Sequence, residues 1–304
     1  MANSENSLLV EKYRPIKLEN YVGNKNIKKS ISSYLEQNDI QNLIFYGSAG
    51  TGKTTLAKLI VKNLDCDHIY INASDERGIE TIRDKVSGFA SVASFKSLKV
   101  VILDEADFLT IQAQASLRNI IETFSRTTRF IMTCNFVERI IDPLQSRCQV
   151  LKIIPPTKKD VAKHLNWICK EESIKHDIND LVPLVNQYYP DLRKCINTIQ
   201  LSTQDNILKL DKSILVSSNY IDKVIDKLKQ DKDTFKEIRQ IIADANVDDF
   251  DELFRALYER ASEYVFAKEG TIATLINDHQ YKANFRIDKE INVMSLINNI
   301  INNK

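Results

Sequence analysis

The stretch that most constrains this chain is GSAGTGKT, Gly47 to Thr54. It stands between the apolar run LIFY (Leu43–Tyr46) and the helix-like segment TTLAKLIVKNL (Thr54–Leu64). Glycines at such a junction let consecutive backbone N–H groups wrap an anion with no Cβ in the way. The helix that follows points its positive end at the same place. A strand, a loop of the form G-x-x-x-x-G-K-[ST] and a helix in that order predict a phosphate-binding loop. Lys53 would reach the β/γ-phosphates and the Thr54 hydroxyl would bind Mg²⁺.

The rest of the first half supports a sheet around that loop. Short apolar or β-branched runs at Leu43–Tyr46, His68–Asn72, Lys99–Asp104, Arg129–Thr133 and Gln149–Ile154 alternate with amphipathic segments near 53–64, 77–91, 111–124 and 138–146. That alternation predicts an α/β module, a parallel sheet with helices on both faces. Pro155-Pro156 then breaks the chain. Beyond it the pattern is helical, at about 157–172, 178–188, 191–202, 211–216, 218–229, 231–244, 248–265, 268–279 and 288–302. A second boundary is expected around 222–232. The reading is a nucleotide-binding domain over 1–154, a helical lid over 155–228 and a helical C-terminal domain over 229–304.

Composition narrows the alternatives. At 43% hydrophobic and 27% charged, the chain has ordinary globular usage. Its apolar runs fall far short of the ~20 residues of a membrane helix, and its polar N-terminus lacks a signal-peptide core. No membrane partner is expected. Five scattered cysteines without a CxxC pair and four dispersed histidines support neither a disulfide framework nor a zinc site. The expectation is a soluble protein of a reducing compartment. A net charge of +1 excludes a uniformly basic nucleic-acid coat, so any such contact must be local.

VVILDEAD (Val100–Asp107) places Asp104 at a strand end beside the loop, where it can hold the Mg²⁺ shell, with Glu105 next to polarise an attacking water. RFIMTCN ends in Asn135, an amide suited to orient that water or sense a γ-phosphate. Ser146-Arg147-Cys148 precedes the last strand. Spacing alone leaves Arg147 open between a surface arginine, with Asp142 as its only obvious local acid, and a catalytic role.

Taken in order, EKYRP (Glu11–Pro15), the loop, NASDERGI (Asn72–Ile79), DEAD, TCN, SRC and PDLRK (Pro190–Lys194) make the chain resemble an AAA+ sliding-clamp loader ATPase of the replication factor C small-subunit type. NDHQYKAN (Asn277–Asn284) looks most like the ATPase subunit of T4-like phage clamp loaders. The resemblance implies an AAA+ module, an α-helical lid and an α-helical collar. It implies that Val10, Glu11, Lys12, Tyr13 and Val22 line the adenine pocket, and that Gly50, Thr51, Gly52, Lys53, Thr54 and Thr55 take the phosphates of ATP with Mg²⁺. Arg193 would be a second sensor on the lid, and Arg147 a finger reaching a neighbouring subunit's ATP.

Implied partners are other loader subunits, homo- or hetero-oligomeric and pentameric, together with a ring-shaped sliding clamp and primer–template DNA. Arg77 and Arg83 are the residues that the resemblance turns toward DNA. Spacing alone equally allows a solvated face with Glu76, Glu80 and Asp84, and likewise an i,i+4 pair between Arg118 and Glu122. The implied activity is ATP hydrolysis stimulated by clamp and DNA. ATP binding opens the clamp, and hydrolysis releases it on DNA. The place would be a bacterial host cytoplasm for a phage protein, or a nucleus for a eukaryotic one. Another AAA+ DNA-associated motor, an initiator or a branch-migration ATPase, is the alternative.

Overall fold

The computed structural model describes residues 8–210, 220–230, 234–245, 247, 250–265, 269–283 and 288–303. The helix expected over 211–216 and Asn284 of NDHQYKAN lie outside these. Each of the five apolar runs forms a strand: β1 (Leu43–Tyr46), β2 (Cys66–Asn72), β3 (Leu98–Asp104), β4 (Thr128–Cys134) and β5 (Gln149–Lys152). All pair in parallel, in the order β2-β3-β4-β1-β5.

Parallel neighbours need crossover helices, and these cover both faces. Side chains alternate accordingly. Leu43, Phe45, Val100, Ile102 and Ile131 face a core completed by Ile27 and Ile31 of α2 (Lys25–Gln37) and Leu56 and Ile60 of α3 (Lys53–Asn63). Ile44, Val101, Leu103, Phe130 and Met132 face the opposite core, closed by Ala113, Leu117 and Ile121 of α4 (Ile111–Thr123). Truncating a side chain such as Ile102 to alanine would cost about 2–5 kcal/mol. β3 is buried along its whole length. It tolerates Lys99 because the ammonium donates to the carbonyls of Phe89 (2.7 Å), Ala90 (3.4 Å) and Val92.

Two segments differ from expectation for local reasons. The helix foreseen over 77–91 is a turn of α-helix at Ile79–Thr81, a π-helical stretch at Ile82–Ser87, and a further α turn at Gly88–Ser91. Ile82, Val86 and Ala90 are all buried, four residues apart. A regular α-helix turns about 100° per residue, so two such steps would swing the third residue about 80° off the face. The wider turn keeps the three together. The helix foreseen over 138–146 is a 3₁₀ turn at Val137–Arg139 and a short helix at Asp142–Gln145. Pro143 lacks the N–H an interior position needs, so the helix restarts beside it.

The chain divides into two compact units, Met1–Ile178 with Tyr188–Asn206, and Asn179–Gln187 with Ile207–Lys304. The first holds the sheet together with α1 (Leu9–Lys12), α5 (Lys158–Glu171) and α6 (Leu192–Ser202). In the second, α7 (Tyr220–Leu228), α8 (Phe235–Ala245), α9 (Asp251–Glu259), α10 (Glu269–Ala283) and α11 (Lys289–Asn302) share one core. Val224, Ile225 and Leu228 bury there beside Ile238, Leu253, Phe254 and Ile297. This differs from the lid assigned up to residue 228. The amphipathic stripe of α7 is spent on the C-terminal core, and composition carries no sign of that. Inside this core His279 Nδ1 meets Asn292 Oδ1 at 3.0 Å, and Asn292 Nδ2 donates to the His279 carbonyl at 2.8 Å.

Candidate active site

Because the strands are parallel, everything that follows them gathers at one edge of the sheet. Ligands of such sheets bind there, where neighbouring connections diverge. The loop leaves β1 at Gly47 and enters α3 at Lys53, with Gly47, Gly50 and Gly52 at positive φ of 147°, 72° and 92°. Two of these glycines are also sterically required. A Cβ on Gly50 would lie 2.1 Å from Asp191 Oδ1, and one on Gly47 would lie 2.6 Å from the Ile153 carbonyl oxygen. Asp191 is the N-cap of α6, accepting from Lys194 N at 3.1 Å, so Gly50 lets this helix start against the loop.

Lys53 is buried, and its ammonium donates to the carbonyls of Gly47 (2.8 Å) and Ser48 (2.7 Å). Burial lowers its pKa from the ordinary lysine value. Asp107 and Asp104 oppose that shift, and the Arg193 charge reinforces it. The Thr54 hydroxyl donates to Asp104 Oδ1 at 2.8 Å, which joins the two expected Mg²⁺-binding groups directly. Asp104 also accepts from the Tyr70 phenol on Oδ2 at 2.6 Å and from the Thr133 hydroxyl. Burial, and then the bond to Asp104, raise the Tyr70 phenol above its ordinary value. Glu105 is partly exposed and held at φ 55° with its N–H on Thr133 Oγ1 at 3.1 Å.

Asn135 follows β4 at the same edge. Its backbone N–H and that of Phe136 both donate to Asp107 Oδ2, at 3.2 and 3.3 Å. Asp107 is buried, and its Oδ1 has no hydrogen-bond partner among the described residues. Burial pushes the thiols of Cys134 and Cys148 up to about 12, so neither offers a thiolate nucleophile at neutral pH.

Beside the loop lies a cavity lined by Val10, Tyr13, Val22, Gly50 to Thr55 and Arg193, all residues expected there. Tyr21, Pro156, His164, Leu192 and Ile196 are among the other residues that line it. Leu192, Arg193 and Ile196 come from one face of α6. Tyr13 is set edge-on to Trp167, centroids 5.3 Å apart, and its phenol donates to Glu172 Oε1 at 2.5 Å. Glu11 and Lys12 stand apart from the lining. Glu11 pairs with Arg14 (2.5 Å) and Lys12 with Glu172 (2.6 Å).

Arg147 lies at the opposite edge. It precedes β5, whose Gln149 is in register with Leu43 at the start of β1, whereas the loop follows the end of β1. Its acidic partner is Glu122 on α4 rather than Asp142. Arg118 accordingly makes no pair with Glu122 and donates to Asn119 Oδ1 at 3.0 Å. Arg77 and Arg83 are both exposed and in no ion pair among the described residues. Arg77 Nε donates to the Ser74 carbonyl at 2.8 Å and its guanidinium lies over Phe108, while Glu76 pairs with Lys85 at 2.6 Å.

A glycine loop leaving β1, a buried lysine and a threonine at the start of α3, and a threonine–aspartate bond to the end of β3 define a P-loop nucleotide-binding protein. The family "ATPase family associated with various cellular activities (AAA)" matches residues 43–156. The replication factor C small subunit of Halobacterium salinarum is 41% identical over 209 residues, 66% of this chain and 65% of that one. The chain thus spans just under two thirds of that relative's length. The replication factor C small subunit of Aeropyrum pernix is 32% identical over 295 residues, covering 95% of this chain and 86% of that one. Among solved structures, the Thermotoga maritima RuvB Holliday junction branch migration motor superposes with a TM-score of 0.56 at 17% identity, over 86% of this chain and 87% of that one. That likeness is one of fold. The chain belongs to the replication factor C small-subunit family.

Proposed function

We propose that this chain is an ATP-hydrolysing subunit of a sliding-clamp loader, acting in DNA replication within an oligomer, pentameric by its family resemblance. The observation that carries the reading is the Thr54–Asp104 hydrogen bond beside Lys53, at the edge where the glycines open the backbone. These residues fit ATP with Mg²⁺. Gly50 lets the loop turn at positive φ against the start of α6, and Thr54 and Asp104 present adjacent oxygens of the kind Mg²⁺ prefers. When bound, Mg²⁺ would offset charge on the phosphate oxygens.

Lys53 would exchange the Gly47 and Ser48 carbonyls for phosphate oxygens, trading neutral acceptors for charged ones. Glu105 would take up the proton of an attacking water, and Asn135 would orient that water. Val10, Tyr13 and Val22 would hold the base, and Arg193 would sense the phosphates from the lid. Arg147 sits at the far edge from its own loop, which supports a finger offered to the ATP of an adjacent subunit. Arg77 and Arg83, both in no ion pair among the described residues, would meet DNA phosphates. Few contacts per subunit suffice when several subunits follow one strand.

No helix among the described residues is long and apolar enough to cross a membrane. Work on DNA would put the protein in a bacterial host cytoplasm if it is phage-encoded, or in a nucleus if it is eukaryotic. The test is the ATPase rate of the assembled complex with and without primed DNA and the cognate clamp. Stimulation by both is expected, and a rate indifferent to both would overturn the reading.

A further inference from the structure

The guanidinium of Arg147 is held on two sides. Its Nε donates to Glu122 Oε1 at 2.7 Å, and Nη2 donates to the same oxygen. Nη1 donates to the Pro143 carbonyl at 2.7 Å and to Ser146 Oγ at 3.3 Å. Of the five N–H donors of an arginine, four are engaged, and one proton on Nη2 is left over. The contacts come from three places: α4, the short helix at Asp142–Gln145, and the residue next to Arg147 itself. A long side chain that would otherwise sample many rotamers is thereby confined.

We propose that Glu122 is a positioning residue that fixes Arg147 for the nucleotide of the neighbouring subunit; this rests on the reading of Arg147 as a trans finger. Two roles are open to such a carboxylate, a lock that withholds the arginine or a holder that presents it, and magnitude separates them. Both partners are partly exposed, with side-chain exposures of 34% for Arg147 and 52% for Glu122. An exposed pair shifts an equilibrium by about fivefold at most. An arginine finger is worth about 10³–10⁵ in rate. A fivefold contact that withheld the arginine would slow turnover by fivefold at most and leave nearly all of that gain in place, so it would make a poor lock. It can bias the rotamers from which engagement starts, which is what a holder does. The carboxylate also takes the Nε edge, leaving the remaining donor on the terminal nitrogen where a phosphate oxygen could be met.

The test is a double-mutant cycle in the assembled complex, joined to a measurement on the free subunit. Glu122→Ala is expected to lower turnover at saturating ATP about two- to fivefold with nucleotide affinity unchanged. Glu122→Gln should recover most of that loss, because its amide oxygen still accepts from Nε. In an Arg147→Ala background, Glu122→Ala should cost nothing further. In the free subunit, the ¹⁵N–¹H signal of Arg147 Nε should be protected from exchange with water, protected also in Glu122→Gln, and lost in Glu122→Ala. Faster turnover in Glu122→Ala would establish a lock and overturn the proposal. So would an equal loss in both backgrounds, or an Nε signal indifferent to Glu122. If Arg147→Ala costs 10³ or more while Glu122→Ala costs nothing, only the holder fails. If Arg147→Ala itself costs nothing, the finger reading falls with it.

Discussion

The two edges of the sheet carry charged groups in opposite settings. The edge at the strand ends holds Lys53, Thr54, Asp104 and Glu105, joined by hydrogen bonds that run between loop and strands. The edge at the strand starts holds Arg147, tied to a surface glutamate and a backbone carbonyl. The first edge buries charges and satisfies most of them, an expensive arrangement that persists where groups must be pre-placed for catalysis. The second keeps its charge near solvent, where a partner can claim it. On the reading proposed above, this subunit would bind nucleotide with one edge and complete a neighbour's site with the other.

The largest effect should come from the edge without a nucleotide. Arg147→Ala should cut ATPase in the assembled complex by about 10³–10⁵ while ATP binding to the same subunit is retained. Mixing sharpens the point. Assemblies of Lys53→Ala subunits, which still offer Arg147, with Arg147→Ala subunits, which still bind ATP, should regain turnover in a steady-state phosphate-release assay. An absence of complementation would place both groups in one site and break the comparison.

Glu105→Gln should slow hydrolysis by about 10²–10⁴ and leave ATP and clamp binding intact. Single-turnover phosphate release beside a nucleotide titration separates the two. Lys53→Ala should weaken ATP binding by roughly 10- to 100-fold, since a hydrogen bond to a charged group is worth about 1.5–3 kcal/mol. A fluorescent-nucleotide titration at fixed Mg²⁺ reads it, and unchanged affinity would remove Lys53 from the phosphates. The smallest effect belongs to Arg77→Ala or Arg83→Ala. Each should lower the slope of log affinity against log salt by about one for DNA binding, with nucleotide affinity untouched.

Much of this was legible in the chain. The five strands and the loop could be read off because apolar runs of four to six residues, glycines and Lys-Thr are local signals. Asp104 was legible for the same reason, lying at the end of a wholly apolar run. α2 was not claimed from sequence, although Ile27 and Ile31 with Tyr34 and Leu35 trace a helical stripe. Its ends at Asn24 and Asn38 carry no side-chain cap bond that would have marked them. Tyr70, Thr133 and Asp107 were missed because their roles depend on register. Tyr70 lies on β2 and Thr133 on β4, flanking Asp104 on β3 from 34 and 29 positions away. The partner of Arg147 was missed likewise. Glu122 is 25 residues away, and proximity in sequence favoured Asp142. α7 went to the wrong domain because an amphipathic stripe does not say which core will cover it.

A strand direction is a polarity, and on the proposed reading each direction ends in a different chemical half. An open row of n such subunits joined edge to edge contains n − 1 complete sites. One terminal subunit then carries a loop that no finger reaches, and the other carries a finger with no nucleotide to meet. The two ends of the row are chemically distinct even when every chain in it is identical, so an assembly of copies acquires a first and a last member.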